Sequence, residues 1–81
     1  MKRVFYTAEA LALLMHYRSI APRLRAKIDR YALTGAGDVK VLVGRGDTKR
    51  LRVGDFRVIF EESPTEIFVT RLGPRGSVYE E

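Results

Sequence analysis

Lys49, Arg50 and Arg52 stand close together in the chain, and Arg57 follows after a Gly54-Asp55 pair. In an extended strand, side chains two apart share a face. Arg50 and Arg52 therefore point one way while Leu51 and Val53 point toward a core. A two-residue turn at Gly54-Asp55 would fold the next strand back and bring Arg57 beside that pair. Neighbouring guanidinium groups repel unless an anion or an acid lies between them. Between Lys40 and Phe60 the acids are Asp47 and Asp55, against Lys40, Arg45, Lys49, Arg50, Arg52 and Arg57. The planar fork of arginine donates two parallel hydrogen bonds, a geometry matched to phosphate. The same pattern also describes a solvated sheet face whose charges only keep the protein soluble. Residue spacing leaves both readings open.

The rest of the composition narrows the chemistry. The 81 residues carry a formal net charge of +5 and a pI near 10.0. That balance favours nucleic acid, acidic proteins or anionic surfaces as partners. Cysteine is absent, which excludes disulfides and thiolate chemistry, and a single histidine gives no basis for an intrinsic zinc site. No metal and no cofactor is expected. No apolar run approaches the roughly 20 residues needed to cross a bilayer, and Met1 to Thr7 lacks the apolar stretch of a signal peptide. No membrane association and a cytoplasmic location are expected. His16, among Leu14, Met15 and Tyr17, reads as a structural or surface residue.

The elements that must hold the cations follow from periodicity. A hydrophobic fraction of 46% belongs to a folded chain, and the length fits one domain over 1–81. Arg3 to Tyr6 is β-prone. Thr7 is placed to cap a helix from Ala8 to about Arg18, with Glu9 in its first turn. Leu11, Leu14 and Met15 share a face of that helix, so much of its circumference is expected to be buried. Pro22 suits the first turn of a second helix. Its apolar stripe is Leu24, Ile28, Tyr31 and Ala32, and Arg23, Arg25, Lys27 and Arg30 read as its solvated side. Gly35 to Gly37 ends it. After a mixed segment at Val39 to Val43 and a loop at Gly44 to Asp47, three β-runs follow at Lys49–Val53, Phe56–Phe60 and Ile67–Leu72. The expected fold class is α+β: an N-terminal strand and a two-helix hairpin packed on a small antiparallel sheet, in the order β-α-α-β-β-β. The first strand could join either edge.

The block Arg50-Leu51-Arg52-Val53-Gly54-Asp55-Phe56-Arg57-Val58-Ile59-Phe60 resembles the RelE/ParE superfamily of toxins. The family pattern reads basic, Leu, basic, Val, Gly, Asp, aromatic, Arg, then an aliphatic-aromatic run. Arg71 to Tyr79 resembles the family's closing segment, in which a glycine precedes an arginine and a Val-Tyr pair follows. The resemblance implies the RelE-like fold and a cognate antitoxin that wraps and neutralises the toxin. It implies one of two activities: ribosome-dependent mRNA cleavage, or poisoning of DNA gyrase by members without the nuclease residues. By position, Arg57 resembles the arginine that holds the scissile phosphate. Arg75 resembles the one that stabilises the transition state or leaving group. Tyr79 resembles the tyrosine that orients or deprotonates the attacking 2′-hydroxyl. Lys49, Arg45, Arg50 and Arg52 would bind RNA phosphate, with Arg50 and Arg52 standing where relatives carry lysines. Pro74 departs from a basic or histidine position in many relatives. The leading expectation is a metal-free mRNA endonuclease acting on the ribosome. The alternatives are a gyrase poison and a degenerate toxin that only binds its antitoxin.

Overall fold

A computed structural model of the protein describes residues 1–42, 44 and 46–76. The chain runs β1 (Arg3–Tyr6), α1 (Ala8–His16), α2 (Ala21–Thr34), β2 (Asp38–Val41), β3 (Thr48–Val53), β4 (Phe56–Glu62) and β5 (Glu66–Pro74). The strands form one sheet in the order β1-β5-β4-β3-β2. The meander expected from sequence is β3-β4-β5. Two additions extend it. The segment after α2 forms β2, antiparallel to β3, and β1 closes the other edge by pairing parallel to β5. The sheet is therefore mixed: the two helices carry the chain from β1 at one edge to β2 at the other, and the meander brings β5 back beside β1.

Two helices and one face of the sheet enclose the core. Leu51 and Val53 of β3, Val58 and Phe60 of β4, and Ile67 and Val69 of β5 meet Leu24, Ile28 and Ala32 of α2 and Ala10 and Leu14 of α1. The α2 stripe thus lies where its 3.6-residue period places it. Gly35 ends that helix at φ 77, and its N–H donates to the Tyr31 carbonyl at 2.8 Å, a backbone conformation that glycine adopts without the penalty of a Cβ.

The first helix departs from expectation. It stops at His16, and its buried residues are Ala10 and Leu14. Leu11 is 46% exposed and Met15 is 74% exposed. A narrow line of α1 touches β5 and β1 near the edge of the sheet, so the apolar face is wider than the surface that covers it.

Thr7 fixes where α1 begins. Its Oγ1 accepts from the Ala10 N–H at 3.1 Å and donates to the Thr70 carbonyl at 3.2 Å, joining the helix start to β5. Thr7→Ala is expected to lower unfolding free energy by about 1–2 kcal/mol, and Thr7→Ser to retain most of it. Urea midpoints for the three proteins check this; equal midpoints for wild type and Thr7→Ala would remove the cap from the account.

Candidate functional site

The sheet has a helix-covered face and an open face, and register sorts the cations between them. Leu51↔Val58 and Val53↔Phe56 face the helices. The alternate pairs face the other way. One row across the sheet is Asp38, Arg52, Arg57 and Gly73; the next is Lys40, Arg50, Ile59 and Arg71. The open face therefore collects Arg50, Arg52 and Arg57 on adjacent strands.

Arg57 is the unusual member. It lies on the central strand β4 and is 7% exposed. Its Nη1 donates to the Gly54 carbonyl at 3.1 Å and to the Phe56 carbonyl at 3.2 Å. Those bonds pin the guanidinium against the β3–β4 hairpin. Gly54, at φ 59, makes that hairpin possible. With a left-handed glycine at its first central position and Asp55 at negative φ, the turn is of the type II′ class. On the other side of Arg57, Gly73 contributes no side chain.

Arg52 stands directly opposite Arg57 across the ladder, where Cβ atoms are roughly 4.5–5.5 Å apart and like charges destabilise. Several cations elsewhere are paired with carboxylates. Glu62 meets Lys2 and Lys49, Glu66 meets Arg3, and Glu9 meets Arg71. Asp38 lies 3.8 Å from Arg50, whose buried Nε has no hydrogen-bond partner among the described residues. Among the described residues no carboxylate pairs with Arg52, Arg57 or Arg75. A buried cation beside a second cation, held by carbonyls rather than by an acid, is a site an anion would complete.

Arg75 joins the cluster through its backbone: its N–H donates to the Asp55 carbonyl at 2.7 Å. That bond ties the turn after β5 to the tip of the β3–β4 hairpin, and the Arg75 side chain is exposed there. Lys49 is placed elsewhere. It pairs with Phe60 on the helix-covered face, and its Nζ donates to Glu62 Oε1 at 2.7 Å. The alternation that sends Arg50 and Arg52 outward sends Lys49 inward, so it does not belong to this cluster. Arg45 and Tyr79 lie outside the described residues. His16 is exposed and sits edge-on to Tyr17 at 4.6 Å, with no acid-base partner among the described residues. Among the described residues no group of His, Asp and Glu is arranged to hold a metal ion, and no helix is long and apolar enough to cross a membrane.

Sequence reading missed two groups of cations. Arg71 joins the open face through its register with Ile59; its place on β5 opposite β4 was the available signal. Arg23, Lys27 and Arg30, read as the solvated side of α2, line a groove against the sheet. Their helical spacing was visible, but the wall opposite them was not.

No protein-family model matches this sequence, and no curated protein sequence matches it. Solved structures do. A chain of the RelB–RelE antitoxin–toxin complex from Methanococcus jannaschii superposes with a TM-score of 0.76 at 22% identity, over 93% of this chain and 94% of that one. A chain of the archaeal RelE–RelB complex from Pyrococcus horikoshii OT3 also superposes with a TM-score of 0.76, at 27% identity, over 95% of this chain and 98% of that one.

Proposed function

We propose that this chain, which has the RelE-like α+β fold, is the toxin of a toxin–antitoxin pair and cuts mRNA on the ribosome without a metal. The two solved structures described above are antitoxin–toxin complexes, which supports a cognate antitoxin as partner. The observation that carries the nuclease reading is Arg57, a buried guanidinium on the open sheet face, beside Arg52 and without an acid among the described residues.

In the proposed reaction the 2′-oxygen of a nucleotide attacks its own 3′-phosphate and the P–O5′ bond breaks. The products are a 2′,3′-cyclic phosphate and a 5′-hydroxyl. The 2′-hydroxyl loses its proton to a base, and the leaving O5′ gains one. Negative charge builds on the phosphate oxygens, and fixed cations aimed there lower the barrier without reorganising. Arg57 is the proposed phosphate holder and Arg75 the cation for the transition state or leaving group. Arg50 and Arg52 are proposed to bind flanking phosphate. Arginine stays protonated at physiological pH and is a poor base, so Tyr79 is the proposed group that orients the 2′-hydroxyl or takes its proton.

A translation extract programmed with a defined mRNA tests this. Added protein is expected to cut the mRNA in the ribosomal A site, and a cognate antitoxin is expected to stop it. Intact mRNA together with trapped, cleaved DNA in a gyrase supercoiling assay would replace this reading with that of a gyrase poison.

A further inference from the structure

The α2 cations and the hairpin tip carry a second site. Arg23, Lys27 and Arg30 are exposed and lie at helical spacing. With a rise of 1.5 Å per residue they span roughly 10 Å of helix axis, a cation about every 5 Å on one side. They line a groove of about 380 Å³ against the sheet, together with Asp38, Arg52 and Gly54. Asp38 is the acid in this lining, and it already lies 3.8 Å from Arg50. Among the described residues Arg23, Lys27 and Arg30 have no carboxylate partner.

The groove is joined to the Arg57 cluster through one residue. The Gly54 carbonyl accepts from Arg57. A Cβ placed on Gly54 would lie 3.6 Å from Nη2 of Arg23. The hairpin tip thus lies between two guanidinium groups, bonded to one and in contact range of the other. Arg75 is bonded to the next residue, Asp55. Arg23, at the N-terminal end of the α2 row, and Arg57 thus both lie against Gly54, with the Arg75 backbone bonded to the residue beside it.

We infer that this groove binds the sugar-phosphate backbone of a single-stranded RNA, holding the strand that continues past Arg57. The inference rests on the proposed RNA-cutting function for its choice of ligand. The floor of the groove decides between a phosphate strand and an acidic, amphipathic protein segment. Leu51 and Val53 line it, yet each is 2% exposed, so neither offers a partner helix a pocket for an apolar anchor, and the accessible lining is more polar than apolar. A phosphate backbone needs the cations and not the anchors. Such contacts are independent of base sequence.

Fluorescence anisotropy with a short labelled single-stranded RNA of mixed sequence tests this on the whole protein. The variant Arg23→Gln/Lys27→Gln/Arg30→Gln is expected to bind roughly tenfold more weakly at low salt, with a salt slope flatter by about 2, since each lost single-strand phosphate contact removes about 0.7. The control Ala12→Glu/Arg18→Gln/Thr65→Glu lowers net charge equally at exposed positions away from the groove and is expected to keep the wild-type slope. Equal loss in control and groove variant would overturn the inference, as would wild-type affinity in the groove variant. Loss of affinity for the antitoxin with RNA binding untouched would overturn it in favour of a protein dock. The cutting assay separates the two readings. Groove-dependent affinity without cutting leaves the RNA groove standing and removes the nuclease, whereas cutting with groove-independent affinity does the reverse.

Discussion

Arg57→Ala is expected to reduce mRNA cutting by about 10²–10³-fold, the usual loss when one fixed donor to a developing oxyanion is removed, while the protein stays folded. Two opposing effects set the stability change. The substitution leaves the Gly54 and Phe56 carbonyls without the Nη1 donor. Gly54 is exposed and Phe56 half-buried, so water can replace that donor and the loss stays near the low end of roughly 1–3 kcal/mol. Against it, the substitution removes a desolvated cation that faces Arg52 and relieves their repulsion. The net change in unfolding free energy is expected to be within about 1 kcal/mol. Arg57→Lys keeps the charge and loses the fork, so its cutting rate should fall between wild type and Arg57→Ala. Rates in the translation extract and urea midpoints on the same preparations check both. Undiminished cutting by a folded Arg57→Ala would make this arginine a clamp on the hairpin and nothing more.

The strand half of this fold was legible because period and turn chemistry agreed. Leu51 and Val53 alternate with Arg50 and Arg52, and Gly54 supplies the positive φ that the hairpin needs. Burial of Leu51 and Val53 on the helix side then leaves the arginines on the open face. The same alternation argued against Lys49 as a member of the cluster, but its partner Glu62 lies on the next strand and could be named only once the β3–β4 register was known. Pairing of β1 with β5 joins the two ends of the chain, and local pattern carries no information about which edge a first strand takes. Helix α1 was read as more buried than it is because periodicity reports which residues could face a core, not how much surface is there to meet them. The groove beside α2 was invisible for a related reason: charge opposite an apolar stripe is usual for a surface helix, and only the tertiary approach of Gly54 to Arg23 turns that face into a wall.

Stability should fall as the solution is acidified from about pH 4.5 toward 2, and Glu62 should account for about 3 kcal/mol of the loss. Its side chain is 9% exposed. Burial alone would raise its carboxyl pKa, but hydrogen bonds from Lys2, Lys49 and Tyr31 outweigh burial and hold it down at about 2, against an ordinary 4.5. A depressed folded-state pKa stabilises the native state above the unfolded value and loses that contribution as pH falls toward the folded one. At 1.36 kcal/mol per pKa unit the interval corresponds to about 3 kcal/mol. Tyr31 donates to Glu62 Oε1 at 2.8 Å; burial, then this bond, pushes its own pKa up to about 12. Its contribution is present below pH 10 and is lost as pH rises toward 12. The carboxylate binds the N-terminus, α2, β3 and β4 at one point, so Glu62→Gln leaves two lysines facing a neutral amide. That variant is expected to be about 3 kcal/mol less stable at pH 7 and to match wild type near pH 2, so that the difference between their urea midpoints closes across the interval. A constant difference from pH 7 to pH 2 would mean that the amide perturbs packing, and that the ion pairs contribute nothing to stability.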